Sequence, residues 1–352
     1  MMAQQLMPAY RWFWPGKSPL PDALWVVATS AAATQAQDFL EALQARTPVG
    51  LLLLDDAPYA GPVPWLRVPR LSAVRIVRRL QPRRLVMLED DPRARALAAA
   101  CPERAVWING ASSDLLALGR VFVASTLQET QVGGGELMGD PLVAPIPAVT
   151  APTTDFCARF GAVQAAGRWI LYFAATTEGE EPLAYGAFLQ IAAMSGGLLA
   201  LAPADPARHE GIYREAIKYH LLTTRQRRLM TSEVPPKTRV YYIEDAPARQ
   251  SMYDCADLIV VGGTFCGGAV DMGAALAAAR PLVIGPHRQD PLVRAAVRAR
   301  LVATCESEAD LAGQCRSLLG DADARAQYAQ AIRAWLREQP TARQRVLDAL
   351  TD

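Results

Sequence analysis

Short runs of consecutive apolar residues, with no polar residue alternating, recur along this sequence and alternate with helix-patterned segments. The runs cover 24–28, 49–54, 84–88, 105–108 and 121–124, then 169–174, 197–202, 240–243, 258–261 and 281–284. A strand apolar on both faces must be covered on both sides, which is the condition of a parallel sheet. Between them, 34–45, 72–80, 93–100, 182–194, 211–219 and 248–254 read as helices, so the chain is a succession of βαβ units. The alternation lapses once, over 139–154, where Pro141, Pro145, Pro147 and Pro152 mark a linker. At 352 residues and 51% apolar composition, the chain has room for two cores. The expected fold class is therefore α/β, two doubly wound domains of the Rossmann kind, over 1–150 and 151–352. Such domains bind ligands at the carboxyl ends of their strands, here in a central cleft between the two.

The most informative stretch runs from Leu258 to Asp271. It reads as a buried strand, a turn containing Gly262, Gly263, Gly267 and Gly268, and a helix over 272–279. A second strand then ends on Gly285, Pro286 and His287. Glycines permit positive φ and close approach of another molecule, and a helix start presents free N–H groups, so the turn predicts an anion site, typically for phosphate. The plainer alternative is a βα turn that binds nothing. No Lys-Ser/Thr follows the glycines, which excludes a P-loop, and the stretch lies too late in the chain for the dinucleotide fingerprint.

A net charge of +1 gives no electrostatic case for nucleic acid. The basic clusters at 75–84 and 225–228 read as solvated helix faces, or as a phosphate- or membrane-facing surface. Cys101, Cys157, Cys255, Cys266, Cys305 and Cys315 are scattered without a CxxC pair and read as reduced thiols of a cytoplasmic protein. Only His209, His220 and His287 are present, in no metal-ligand spacing, so no metal is expected. No apolar run is long enough to span a membrane. The segment 1–16, with Tyr10, Trp12, Phe13 and Trp14 beside Arg11, is not a signal peptide. It reads as a packed N-terminal arm, or as a peripheral contact with the inner membrane surface.

Several segments, in order, resemble the 3-deoxy-D-manno-octulosonic acid (Kdo) transferases of lipopolysaccharide assembly, which are GT-B glycosyltransferases. Residues 25–30 are similar to that family's first strand, and 85–89 with 107–111 to its acidic strand end and V-N-A strand. The run 174–181, with Glu178, Gly179, Glu180 and Glu181, resembles its A-S-T-x-x-G-E-E loop. Residues 201–206, 253–265 and 281–287 follow its V-P-R-H-P, Y-x-x-A-D-V-x-x-V-G-G-T/S and P-V-x-x-G-P-H segments. The resemblance implies a metal-independent transfer of a sugar from a nucleotide donor of the CMP-Kdo type to an envelope glycan or lipid acceptor, with no other cofactor. It implies that the second domain holds the nucleotide. Gly262, Gly263, Thr264, Gly267, Gly268 and Asp271 would face its phosphate or ribose, with Glu178, Gly179 and Glu180 opposite and His287 either in the cleft or capping a turn.

The departures fall on working residues. The family's S-V-G-E turn, whose glutamate is its proposed base, is Ser30-Ala31-Ala32-Ala33 here, and a general base contributes roughly 10²–10⁴-fold. Replacement bases would be Glu89 or Asp90 foremost, then Asp91, Asp55 or Asp56, all at strand ends of the first domain; for any single one of them, a turn acid or helix cap is the preferred reading. The family's G-G-H-N-x-L-E, R-H-P and D-T-x-G-E-L segments are also altered, at Gly273 or Ala274, at Ala204 and at 244–249. Three readings follow: an active glycosyltransferase with a non-standard base, a catalytically silent homologue that binds or scaffolds, and a two-domain nucleotide-sugar epimerase.

Overall fold

The computed structural model describes residues 18, 20–69, 71–143, 146, 155–192, 196–229 and 233–352. The aromatic arm at 1–16 and most of the proline-rich stretch, including Pro145, Pro147 and Pro152, lie outside the described residues. The chain divides into two compact units, Met1–Pro145 with Arg337–Asp352, and Ile146–Leu336. The second expected domain, 151–352, thus gives up its last segment. Val346, Leu347 and Leu350 of the terminal helix Ala322–Thr351 are buried in the core formed by β1, β2 and the helix Gln37–Gln44, which makes that segment part of the first unit.

Unit 1 contains β1 (Leu24–Ala28), β2 (Val49–Leu53), β3 (Trp65–Arg67), β4 (Arg84–Met87), β5 (Ala105–Ile108), β6 (Arg120–Val123) and β7 (Glu136–Leu137). They form one sheet in the order β3-β2-β1-β4-β5-β6-β7, every neighbouring pair parallel. Unit 2 contains β8 (Trp169–Thr176), β9 (Gly197–Pro203), β10 (Thr223–Arg225), β11 (Val240–Tyr242), β12 (Leu258–Val261), β13 (Leu282–Ile284) and β14 (Ala303–Thr304). Its order is β10-β11-β9-β8-β12-β13-β14, again parallel throughout. These are the two doubly wound α/β sheets expected. The central strands are buried along their whole length, as β1 and β12 show, and each apolar side chain so buried contributes about 1.5–3 kcal/mol before chain entropy is subtracted.

Three of the α-helix starts are written in the sequence as Asp followed closely by Pro. Asp91, Asp245 and Asp290 each accept a hydrogen bond from an N–H of the first turn, and a proline at the next position or the one after lacks the donor that would go unused. The cysteine expectation needs one correction. Cys157 and Cys255 form a disulfide that joins the short helix Asp155–Ala158 to the end of the helix Ala246–Cys255. Their separation of 98 residues hides in sequence a proximity that only helix packing creates. Cys101, Cys305 and Cys315 are buried thiols, and burial pushes the Cys101 and Cys305 thiols up to about 11. Among the described residues no helix is long and apolar enough to cross a membrane.

Candidate functional site

In each unit the strand order reverses direction at one place, and the loops leaving the two strands there bound a crevice. In unit 2 that place lies between β8 and β12, so the segments concerned are 175–181, from the end of β8 to the start of the helix Glu180–Ala192, and the turn 262–271. Both sequence signals, the Gly-Glu-Glu run and the glycine-rich turn, thus arrive at one switch point.

The loop after β8 is held by the two glutamates that open the helix Glu180–Ala192. Glu180, at 2% exposure, receives four backbone N–H groups. Oε2 accepts from Thr177 at 2.8 Å and Gly263 at 2.8 Å, and Oε1 accepts from Phe265 at 2.9 Å and Cys266 at 3.4 Å. Glu181 turns the other way: Oε1 accepts from the Thr176 hydroxyl and Oε2 pairs with Arg208 at 2.7 Å. Thr177 donates its hydroxyl to the Gly267 carbonyl. The backbones are as close as glycine allows, because a Cβ on Gly262 would lie 2.3 Å from the Ala175 carbonyl oxygen. Gly263 takes φ +76°, which a side chain would strain.

The remaining predicted residues fall as follows. Thr264 is fully buried, its hydroxyl donating to the Val261 carbonyl and accepting from the Gly285 N–H, so it braces β12 against β13. Glu178 and Gly179 are exposed at the tip of the first loop. Gly268 packs against the Thr177 side chain. His287 is exposed; its N–H donates to the Thr264 carbonyl and its ring lies near Gly267. Asp271 is exposed and caps the short helix Met272–Ala277.

Asp271 also borders a cavity of about 470 Å³ at this switch point, lined by Ala175, Ala204, Arg249, Tyr253 and Val270 among others. Sequence reasoning missed Arg249 and Tyr253; their signal is the helix start at Asp245 that places 246, 249, 250 and 253 along one stripe. Arg249 donates to the Pro203 and Ala204 carbonyls at 3.1 Å, which fixes the guanidinium at the wall. Tyr172 donates to the Arg249 carbonyl at 3.1 Å. Burial, and after it the Asp271 carboxylate, push the Tyr253 phenol well above its usual value, so it stays protonated. Ala175 sits at φ +52°, a left-handed conformation costing about 1–2 kcal/mol for a residue with a Cβ. Such outliers persist where the surroundings over-determine them, often beside ligand sites. The cavity lining combines one cation, one carboxylate, an amide and two phenols with valine and alanine methyls.

In unit 1 the reversal lies between β1 and β4. Glu89 is half-buried and its Oε2 accepts the Thr29 N–H at 2.8 Å; among the described residues its Oε1 has no hydrogen-bond donor. Asp55 takes the Ser30 N–H at 3.1 Å and the Ser30 hydroxyl at 2.7 Å. Asp90 pairs with Arg95 at 2.7 Å, Asp91 caps the helix Pro92–Ala99, and exposed Asp56 approaches Arg67 at 3.9 Å. Ala33, aligned with the resembled family's base, is fully buried in the core rather than open to a ligand. Asn109, after β5, is 7% exposed, and neither of its side-chain polar atoms has a partner among the described residues. Among the described residues no group of three His, Cys, Asp or Glu side chains is placed to hold a metal ion.

No family model and no curated protein matches this sequence. Solved structures similar to it include the C-terminal CMP-Kdo binding domain of WaaA from Acinetobacter baumannii, at 18% identity and TM-score 0.46 over 51% of this chain and 97% of that one. Anabaena HepE in complex with UDP and glucose is similar at 12% identity and TM-score 0.39, over 93% of this chain and 99% of that one. The lipopolysaccharide glycosyltransferase WaaG is similar at the same identity, score and coverage. At these levels the assignment of an α/β fold with two units rests on the two sheets themselves, whose topology stands without the likenesses.

Proposed function

We propose that this chain is a GT-B glycosyltransferase-like protein whose second unit takes a nucleotide-activated sugar in the switch-point cavity of β8 and β12. The observation that carries the reading is the cavity's position and lining. It lies where doubly wound sheets bind nucleotides, with a fixed guanidinium for a phosphate and a carboxylate for ribose or sugar hydroxyls. The Gly-Glu-Glu and Gly-Gly-Thr segments of the Kdo-transferase resemblance line or brace the same switch point. On this reading the donor is of the CMP-Kdo type and the acceptor an envelope glycan or lipid. Glu89, whose Oε1 is left without a donor, is the base to test first in unit 1.

Titration calorimetry with CMP, UDP and GDP tests the reading. One nucleotide is expected to bind the intact chain at submillimolar concentration, and Asp271→Ala and Arg249→Ala to weaken it tenfold or more. No binding of any of the three at millimolar concentration sinks the proposal.

A second reading, a silent homologue that binds the nucleotide without transferring the sugar, draws on the burial of Ala33 and the internal engagement of Asp55, Asp90 and Asp91. Nucleotide binding with no donor hydrolysis or transfer, unchanged by Glu89→Gln, selects it.

A further inference from the structure

The glycine-rich turn has the amides of an anion site, and those of Gly263, Phe265 and Cys266 are already bonded to one carboxylate. We propose that its anion is the chain's own Glu180 carboxylate: Glu180 is a positioning residue that fills the nest, latches residues 175–181 to 262–268, and leaves ligand phosphates to be read by other groups of the cavity.

Each oxygen of Glu180 takes two N–H groups, the distribution an isolated oxyanion receives in a nest of backbone amides. No cationic side chain bonds to it among the described residues, and these four amides are its hydrogen-bond donors. Three of them come from the turn and one from the loop carrying Glu180, so the carboxylate closes a ring across the switch point. The Thr264 hydroxyl is also committed, because it both donates and accepts within the frame. Gly262 lies against the Ala175 and Ala174 carbonyls, and the Thr177 hydroxyl adds a second tie to Gly267. A diphosphate entering this nest would have to expel Glu180 and leave its charge buried without donors. The latched loops carry Ala175 on one side and Ala269, Val270 and Asp271 on the other, all lining the cavity, so the latch also sets the cavity's width.

Removing the carboxylate leaves a hole of carboxylate shape with unpaired donors, which a small carboxylate from solution can refill. The experiment is thermal unfolding of wild type, Glu180→Ala and Glu180→Gln in formate, in chloride at matched ionic strength, and in inorganic phosphate. Glu180→Ala is expected to unfold at lower temperature and to regain roughly 3 °C or more in formate at about ten times its dissociation constant. Chloride gives no such gain, and neither wild type nor Glu180→Gln responds to formate. Formate acting on Glu180→Ala no more than chloride overturns the proposal, as does wild type gaining as much from formate or phosphate. Should Glu180→Ala not fold, Glu180→Gln decides by hydrogen exchange, because its amide NH₂ cannot accept. The Gly263 amide, or the Phe265 and Cys266 amides, are expected to exchange at least tenfold faster while β8 and β12 keep their protection; unchanged exchange overturns the latch. None of these readouts uses a nucleotide, so the proposal stands or falls apart from the reading of the cavity.

Discussion

Both sheets have their switch point stapled by a carboxylate, but the staples differ in direction and in completeness. In unit 1 the carboxylate follows the later strand: Glu89, after β4, takes the Thr29 N–H after β1. In unit 2 it follows the earlier strand: Glu180, after β8, takes Gly263, Phe265 and Cys266 after β12. Glu89 spends one oxygen and stays half-buried, whereas Glu180 spends both and is buried. The difference teaches that amide geometry alone does not say which anion a glycine-rich turn holds. A carboxylate held in place by the same fold has a high effective concentration, and a phosphate entering the turn would have to displace it.

The comparison yields predictions of decreasing size. Glu180→Ala should cost about 3–5 kcal/mol, since it strips a buried charge-assisted network and leaves its donors unpaired, whereas Glu89→Gln should cost about 1 kcal/mol or less. Denaturant melts of the two variants measure both, and equal costs would break the contrast between the staples. Reduction of the Cys157–Cys255 bridge, or Cys157→Ser, should lower the stability of unit 2 by about 2–5 kcal/mol, because the bridge closes a long loop of the unfolded chain. Hydrogen exchange should show the loss in β8, β9 and β12 and leave β1 and β4 unchanged. Gly262→Ala should cost about 1–3 kcal/mol, since its Cβ meets backbone carbonyls that cannot rotate away, and should widen the spacing of the two loops seen in a crystal structure.

The smallest expected effects are in pH. Burial pulls the His209 imidazole below its usual value of 6.5, and nearby Arg227, Arg249 and Arg225 pull the same way against Glu244. The unfolded chain then binds the proton more readily, so unit 2 loses stability as pH falls below about 6.5 and regains it above. In unit 1, hydrogen bonding to Arg120 holds the Glu136 carboxyl below its usual value of 4.5. Its contribution is present above 4.5, is lost only as pH falls below it, and is small for so exposed a pair. Melts from pH 7.5 to 5.5 should therefore weaken unit 2 alone, and His209→Gln should remove the slope.

The legible parts of this fold were those that burial writes directly. Runs apolar on both faces gave β1, β5, β8, β9 and β12 nearly to the residue, because a central parallel strand has no solvent face to encode. The edge strands β3, β7, β10 and β14 were not read, since two or three residues with a polar member, such as Thr223–Arg225, carry no periodicity. The switch point was legible through its glycines and the paired glutamates. That the glutamate and the turn satisfy each other was not, because residues 83 or more apart in sequence meet there only through the sheet order. Arg249 and Tyr253 escaped for the same reason, and the membership of 337–352 in unit 1 depends on a helix face whose partner core lies at the other end of the chain.

Hydrogen exchange on the wild-type chain, with and without whichever of CMP, UDP or GDP binds best, tests the central claim most directly. The expected result is added protection at 246–253 and 269–271, around the cavity, with the already slow amides of Gly263 and Phe265 unchanged. Protection that appears at Gly263, Phe265 and Cys266 instead, or nowhere in unit 2, would contradict a nucleotide cavity built beside a turn that the chain itself fills.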